Sequence, residues 1–491
     1  MANAGTGLRE ITGLLLLFGL LPSVACGQDL FVSSDRTIAG GNPVNGTFAK
    51  VNIGVTSGLV RVPDVRADIT GGTINNGLFL YSSSETNLID ATISNSVFTY
   101  ETSVLTVTGG TNNGSLTSDD TSTVRVSAGT IANNLNAQGA SLLEFGGGTV
   151  GGTLNARGTS DVRITGGTID NNVFAPDSAI VTMTGGTVAN AFNIRGNSTA
   201  VLGGSAQARN VFAQDTAEVM INGGVISNSA TSRNDARLFL VGGTISANLN
   251  AENDSVASVT GGSIAGSLNV RGDSTVTFGG TASTRNAVVQ DAGRLTIDGG
   301  TVTNTLTTRN TGHATLLDGI IEANVNALGS SVVDIRGGVI EGNLTAQESS
   351  AVIVRGGDIN RILGLGGTIA LNGGSFATTA LVNLGGALGF SSSLFIVTGK
   401  EFTLSNATPG SYSYGGSVYG GVYWDVSGVL FNGDTFSTRY FDYGGNTTAP
   451  TNLRLVVGAP EPGSLALGLT GVLACSWRCF RRRKSQPDYR P

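Results

Sequence analysis

Histidine and cysteine are nearly absent from this chain of 491 residues. His313 is the single histidine, and the three cysteines are Cys26, Cys475 and Cys479, all close to an end of the chain. A chain body without cysteine forms no disulfide framework and carries out no thiolate chemistry. A single histidine argues against imidazole catalysis and against most zinc sites. The sequence therefore argues against several common classes of enzyme and metalloprotein.

Charge is also scarce, since charged residues make up 13% of the chain and the net charge is -6. The one dense basic run is Arg481-Arg482-Arg483-Lys484, close to the C-terminus. Domains that bind nucleic acid carry basic residues clustered across one face, and the sequence does not show that pattern. We therefore expect no nucleic-acid partner.

Glycine is abundant instead, with 74 residues, and Thr, Ser, Asn and Val fill much of the remaining sequence. Gly, Thr, Val and Asn are poor helix formers. Val, Ile and Thr favour strands, whereas Gly and Asn favour tight turns. The composition predicts an all-β chain with many short strands.

A repeat of about 19 residues runs through the middle of the chain. Gly-Gly pairs mark it, and Asp90-Ala91, Ala128-Gly129 and Asp318-Gly319 stand where a pair is missing. Of the sixteen steps between successive marks, eleven are 19 residues long and the others are 17, 18 or 20. The pairs begin at residues 71, 109, 147, 166, 185, 203, 223, 242, 261, 279, 299, 337, 356 and 373.

Apolar residues occupy fixed positions within each repeat. Ile or Val usually stands three residues after the first glycine, as at Ile74, and an apolar residue usually stands seven after it, as at Leu78. Short runs that alternate with period 2 are strands with one buried face, and a single repeat buries that face only by stacking on its neighbours. We predict a parallel β-helix (β-solenoid), right-handed, over residues 52–376, with about 17 coils counted from these marks.

A longer period is superimposed on the repeat. Arginines recur every 38 residues, and the segment GGSAQARN at residue 203 is matched by GGTASTRN at residue 279. Duplication of two-coil and four-coil units explains both spacings, and growth of this kind favours a spacer or a binding surface over a single catalytic site. The arginines are Arg157, Arg195, Arg233, Arg271 and Arg309.

Five aspartates stand twelve residues after the first glycine of successive repeats: Asp215, Asp235, Asp254, Asp273 and Asp291. Stacked in register, they would form a column of carboxylates, and Ca²⁺ prefers such oxygen ligands. Two carboxylates about 5 Å apart repel by roughly 0.8 kcal/mol in water, so the column predicts bound calcium or another counter-charge. The alternative is that each aspartate caps a turn by hydrogen bonding. The nonapeptide calcium repeat GGxGxDxUx is absent.

Polysaccharide lyases and hydrolases also use β-helices, and their chemistry needs clustered acids, or a basic residue beside bound calcium, at one cleft. The acids of this chain follow the repeat instead, and no acid pair departs from it to mark a cleft. We predict a non-enzymatic protein with no catalytic residue and no cofactor other than the calcium hypothesis above. A carbohydrate-active β-helix enzyme is the alternative.

Residues 377–458 depart from the repeat. Six of the nine tyrosines lie between residues 412 and 443, in the same segment as Trp424, Phe431 and Phe436. We predict a β-rich cap that covers the open edge of the stacked strands, and the alternative is an aromatic platform for carbohydrate. Residues 28–51 are predicted to start or cap the solenoid at its other end.

The N-terminus has the features of a secretory signal peptide. An apolar run over residues 11–25 follows Arg9 and ends in Ser23-Val24-Ala25, which is a small-x-small cleavage pattern. The run is too short to span a bilayer. We predict that residues 1–25 are a signal peptide, and Cys26 directly after it leaves lipidation as an alternative.

Residues 459–484 contain three motifs in order: Pro460-Glu461-Pro462, an apolar stretch, and a basic cluster at Arg481, Arg482 and Arg483. A short C-terminal membrane anchor at 463–480 with a positive-inside stop is one interpretation. The trio resembles the PEP-CTERM sorting signal of exported proteins from environmental Gram-negative bacteria. This resemblance implies recognition by an exosortase and cleavage near the triplet. Residues 485–491 form a short tail.

The 19-residue coils are similar in period and pattern to those of filamentous haemagglutinin-type and autotransporter passenger domains, which is an analogy of fold. Together these features predict an exported structural or adhesive protein of the cell surface or extracellular matrix. The partners expected are an exosortase-type enzyme, the membrane before processing, and extracellular polysaccharide.

Overall fold

The computed structural model describes residues 71–376 without a break. It also describes the segments 29–32, 36–37, 48–53, 60–63, 66–69, 381–384, 388, 393–405, 407–443, 450 and 452–458. The predicted signal peptide, sorting signal, membrane segment and tail, at residues 1–25 and 459–491, lie outside these described residues. Within the described segments, no helix has the length and apolar character needed to cross a bilayer.

The chain is all-β and forms a β-solenoid of about 16 turns of about 19 residues each. This confirms the predicted fold class, and the turn count is close to the 17 expected from the sequence marks. The chain divides into two compact units, residues 1–322 and 323–491.

Each turn of the first unit contributes to three parallel sheets, here named A, B and C. Sheet A contains Arg36–Thr37, Val60–Pro63, Leu78–Tyr81, Val97–Thr99, Leu116–Ser118, Leu135–Ala137, Leu154–Ala156, Val173–Ala175, Ala230–Arg233, Leu249–Glu252 and Leu306–Thr308. Sheet B contains Asp29–Val32, Phe48–Ile53, Arg66–Ile69, Glu85–Leu88, Val104–Val107, Thr123–Val126, Leu142–Phe145, Asp161–Ile164, Ile180–Met183, Thr199–Leu202 and Val256–Val259. Sheet C contains Thr73–Ile74, Thr92–Ile93, Thr111–Asn112, Thr130–Ile131, Thr149–Val150 and Thr168–Ile169.

The remaining strands of the first unit turn a corner and belong to more than one sheet. Those that pass from C into A are Thr187–Ile194, Gln207–Ala213 and Ser263–Val270. Those that pass from B into C are Glu218–Ile226, Arg237–Ile245, Arg294–Val302 and His313–Ile321, and Thr275–Val289 passes through all three sheets.

The core lies between the three sheets and is built from the apolar positions of the repeat. Side chains alternate between the two faces of a strand, so Leu78 and Leu80 point inward and are fully buried while Phe79 points outward. The same positions stack from turn to turn, as when Leu135 pairs with Leu154. Full burial of one such side chain stabilises the fold by about 1.5–3 kcal/mol.

Two turns, which follow Gly203 and Gly279, have one more residue in the corner before sheet C and one fewer within sheet C than the turn before them, so their length does not change. In the first of them, Val188 pairs with Ala208 but Ala191 pairs with Asn210, so the register shifts between the two pairs. The strand that holds Val188 and Ala191 therefore contains a bulge. The same shift recurs one four-coil unit later, between Ile264 and Ser267. Paired residues in sheet A are therefore 19 residues apart throughout these turns, although the Gly-Gly pairs are 18 or 20 residues apart there.

The second unit contains the strands Val325–Ala327, Val332–Ile335, Val339–Gln347, Ala351–Leu365, Thr368–Phe376, Leu381–Asn383, Leu394–Leu404, Thr408–Tyr414, Ser417–Leu430, Thr435–Tyr443 and Leu453–Val457. Parallel pairing continues past the boundary expected at residue 376, because Leu381 pairs with Ile362 and Leu394 pairs with Thr368. Between residues 399 and 443 the chain forms antiparallel strands, with Ser417–Leu430 in the middle. These inserted antiparallel strands interrupt the 19-residue repeat in the sequence, although the parallel coil continues in the structure.

Candidate binding face

The outer face of sheet A carries two columns of side chains in the first unit. The middle column is Phe79, Phe98, Thr117, Asn136, Asn155, Phe174, Asn193, Phe212, Thr231, Asn250, Asn269, Val288 and Thr307. The edge column is Tyr81, Tyr100, Asp119, Gln138, Arg157, Pro176, Arg195, Gln214, Arg233, Glu252, Arg271, Gln290 and Arg309. We call these two columns together the sheet A face.

The backbone fixes the spacing of the edge column. The N–H of Arg157 donates to the carbonyl of Ala137 at 2.8 Å, and the N–H of Arg195 donates to Ala175 at the same distance. Equivalent bonds recur at Gln214, Arg271, Gln290 and Arg309. Neighbouring strands lie about 4.8 Å apart, so arginines in every second turn stand about 9.6 Å apart.

All five arginines of the edge column are exposed to solvent, and two of them have partners. Arg233 Nε lies 2.8 Å from Glu252 Oε2 in the next turn, and the Arg195 guanidinium lies 5.5 Å from the centre of the Phe174 ring. Within the described residues, Arg157, Arg271 and Arg309 form no ion pair. Four of the five cations therefore have no counter-charge of their own, and three of them have neither an ion-pair partner nor an aromatic one.

The middle column is uncharged and rich in amide groups. Asn155 Nδ2 donates to Asn136 Oδ1 at 2.8 Å, and Asn136 Nδ2 donates to Thr117 Oγ1 at 3.1 Å. A second run joins Asn269 to Asn250 at 2.8 Å. An amide has two donor hydrogens and an oxygen with two lone pairs, so each ladder retains hydrogen-bonding capacity that faces solvent.

Four aromatic rings occupy the first turns of the same face. Phe79 stacks on Phe98 with ring centres 5.0 Å apart, and Tyr81 stacks on Tyr100 at 5.2 Å. Burial, followed by the neighbouring Tyr81 and nearby acids, raises the pKa of Tyr100. Because the rings cover one another's faces, this group packs against itself as well as facing solvent.

The five predicted calcium aspartates do not share one column. Sheet A keeps a constant step through these turns, so Asp215 aligns with Asn234, and Asp291 aligns with Gly272. Asp235, Asp254 and Asp273 stand one position further along the corner between sheets A and B. The expected register was wrong because it was counted from Gly203 and Gly279, which stand one position earlier in their turns than the other marks, opposite Thr184 and Thr260.

Asp215 and Asp291 take part in the corner itself. Both have left-handed backbone conformations, with φ of 61° and 57°. Asn234 Nδ2 donates to Asp215 Oδ1 at 3.2 Å, and Asn310 Nδ2 donates to Asp291 Oδ1 at 2.9 Å. These contacts favour the turn-capping interpretation for these two aspartates. In the segments that the structure describes, no group of three or more His, Cys, Asp or Glu side chains is placed to hold a metal ion.

The aromatic residues of the second unit are divided between core and surface. Trp424, Phe436, Tyr440 and Phe441 are buried, and burial raises the pKa of Tyr440, as does the neighbouring Asp442. These buried rings stabilise the inserted strands and do not offer their faces to a sugar, whereas Tyr414, Tyr419 and Tyr423 are half-buried and Tyr443 is exposed.

Sequence reasoning identified the arginine spacing but not the residues around it. The middle column escaped notice because Asn and Thr also form the turns of this chain, so their composition carries no separate signal. The 38-residue period offers one: Asn155, Asn193 and Asn269 of this column recur with it, each two residues before an arginine of the edge column. The predicted sorting residues Pro460, Glu461, Pro462, Arg481, Arg482 and Arg483 lie outside the described residues.

Comparison of the chain with known protein families, with curated proteins and with solved structures finds no match.

Proposed function

We propose that this chain is a non-enzymatic, exported protein with a structural or adhesive role at the cell surface or in the extracellular matrix. The observation that carries the proposal is the column of five exposed arginines, one in every second turn of sheet A. Duplication has reproduced the same surface group at the same place on one face. Repeated weak contacts of this kind bind an extended partner through multivalency.

The route to the surface is proposed from the two ends of the chain. The signal peptide at 1–25 would direct export, and the PEP-CTERM-like signal at 459–484 would be recognised by an exosortase. The apolar stretch at 463–480 would hold the chain in the membrane until it is processed.

The test of this role is the location of the chain in its own cells. Protease added to intact cells should digest the protein, and replacing Pro460, Glu461 and Pro462 together by alanine should reduce the digested fraction by about tenfold. Glu401→Ala, in the second unit, is the control and should leave the digested fraction unchanged. A wild-type chain that stays protected inside intact cells would refute the proposed location.

The enzymatic alternative has its own measurement. The purified chain is incubated with neutral and acidic polysaccharides, and new reducing ends are counted over time. We expect binding without release of reducing ends. Steady release that depends on protein concentration would overturn the non-enzymatic proposal.

A further inference from the structure

We infer that the sheet A face of the first unit binds a linear acidic polysaccharide, with Arg157, Arg271 and Arg309 as its main anion contacts. This inference rests on the proposed function and names the partner class and the contact residues.

The charge of the face is the first argument. Between Arg157 and Arg309 the two columns contain five arginines and a single acid, Glu252. Glu252 already pairs with Arg233. Asp235, Asp254 and Asp273 line the adjoining corner together with Asp215 and Asp291, but within the described residues none of these carboxylates forms an ion pair with an arginine of the edge column. The guanidinium groups that remain unpaired therefore favour an anionic partner.

The spacing of the charges is the second argument. A nucleic-acid strand carries one phosphate per about 3.4 Å, whereas the arginines stand about 9.6 Å apart, once in every two turns. In a polysaccharide with one carboxylate on every second sugar, the distance between carboxylates is of the same order as this distance between arginines. The spacing therefore favours an acidic polysaccharide over a nucleic acid.

The groups between the arginines are the third argument. Asn155, Asn193 and Asn250 lie half-buried on the middle column and offer amide donors and acceptors, which suit the hydroxyl groups of a sugar. Phe174 and Phe212 are half-buried on the same column and present apolar surface of the kind that packs against a sugar ring. Amide and ring thus alternate along the column from Asn155 to Phe212, beside the arginines.

Arg233 provides an internal test of this arrangement, because Glu252 neutralises it. Removing that carboxylate with Glu252→Gln frees a fourth guanidinium for the ligand. We expect Glu252→Gln to strengthen binding of acidic polysaccharide by about twofold, which is the range of a single exposed charge contact.

The decisive experiment measures binding of the full chain to hyaluronate, which has one carboxylate on every second sugar, and to the same polymer with its carboxyl groups methyl-esterified. Arg271→Gln with Arg309→Gln should weaken binding to hyaluronate by about fivefold at low salt, with the effect shrinking as salt rises. The matched control is Arg237→Gln with Arg294→Gln, which removes the same charge from exposed positions of sheet B. This control should change affinity less than twofold.

Three outcomes would overturn the inference: equal loss in both double variants, equal binding of the esterified polymer, or stronger binding of single-stranded DNA than of hyaluronate. Each variant is first checked for an unchanged thermal melting midpoint, so that weaker binding is not a loss of fold. A surface-located chain that fails these tests refutes the face alone, whereas a chain protected inside the cell refutes the proposed function.

Discussion

The outer faces of sheets A and B carry similar side chains but arrange their charges differently. On sheet B, Glu144 lies between Arg125 and Arg163 in the turns on either side, at 2.7 and 3.6 Å. Opposite charges in successive turns therefore neutralise one another. On sheet A the arginines recur every second turn with mostly uncharged residues between them. The spacing of the charges therefore decides whether the charged side chains of a face pair with one another or stay unpaired and able to bind a partner.

The largest expected effect tests whether the two faces share one core. Leu154 in sheet A and Leu143 in sheet B are both fully buried. We expect Leu154→Ala and Leu143→Ala each to lower the free energy of unfolding by about 3 kcal/mol. Urea denaturation followed by circular dichroism measures both. If Leu154→Ala lowered the free energy of unfolding much less than Leu143→Ala, the two sheets would differ in their core packing as well as in their outer faces.

A smaller effect is expected from the self-neutralising ladder of sheet B. Glu144→Gln removes both contacts with Arg125 and Arg163, whose side chains are about half exposed. We expect a loss of about 0.5 kcal/mol at low salt, and a smaller loss at high salt because exposed charges are screened. Thermal melting at two salt concentrations measures it. A loss that does not change with salt would mean that packing, not charge, holds this ladder.

The smallest effect is expected at the corner beside sheet A. Asp254 has Asp235 and Asp273 in register on either side. Without a bound cation, Asp254→Asn relieves repulsion and should raise the free energy of unfolding by about 0.3 kcal/mol at low salt. Melting with calcium and with a chelator measures the sign. A variant that is less stable than the wild type only when calcium is present would restore the calcium hypothesis for these three residues.

The fold was predictable from the sequence because each turn repeats its own burial pattern. Ile74 and Leu78 belong to positions that are apolar in most repeats and fully buried in the structure. The register of single residues was less predictable, since Asp215 was counted from Gly203, and the Gly-Gly spacing suggests but does not locate the one-residue shift of that pair. The coil beyond residue 376 was hidden because Leu381 pairs onward with Tyr440, across the inserted antiparallel strands.

The candidate face was predictable in part. The arginine period is visible in the sequence, but whether an arginine is neutralised depends on its neighbour one turn away. Glu252 stands one turn from both Arg233 and Arg271, yet its carboxylate pairs with Arg233 while Arg271 forms no ion pair within the described residues. The repeat places the acid in the sequence, but it does not show which arginine the side chain contacts.

The bulges in sheet C also bear on how this gene tolerates insertions and deletions. A one-residue slip in sheet A would exchange core-facing and solvent-facing side chains for the rest of the strand. In the turns after Gly203 and Gly279, one residue more in the corner is offset by one fewer in sheet C, so the register is restored before sheet A begins. A codon gained in that corner and offset in sheet C can therefore be inherited and duplicated with its whole unit, while the arginine column keeps its spacing.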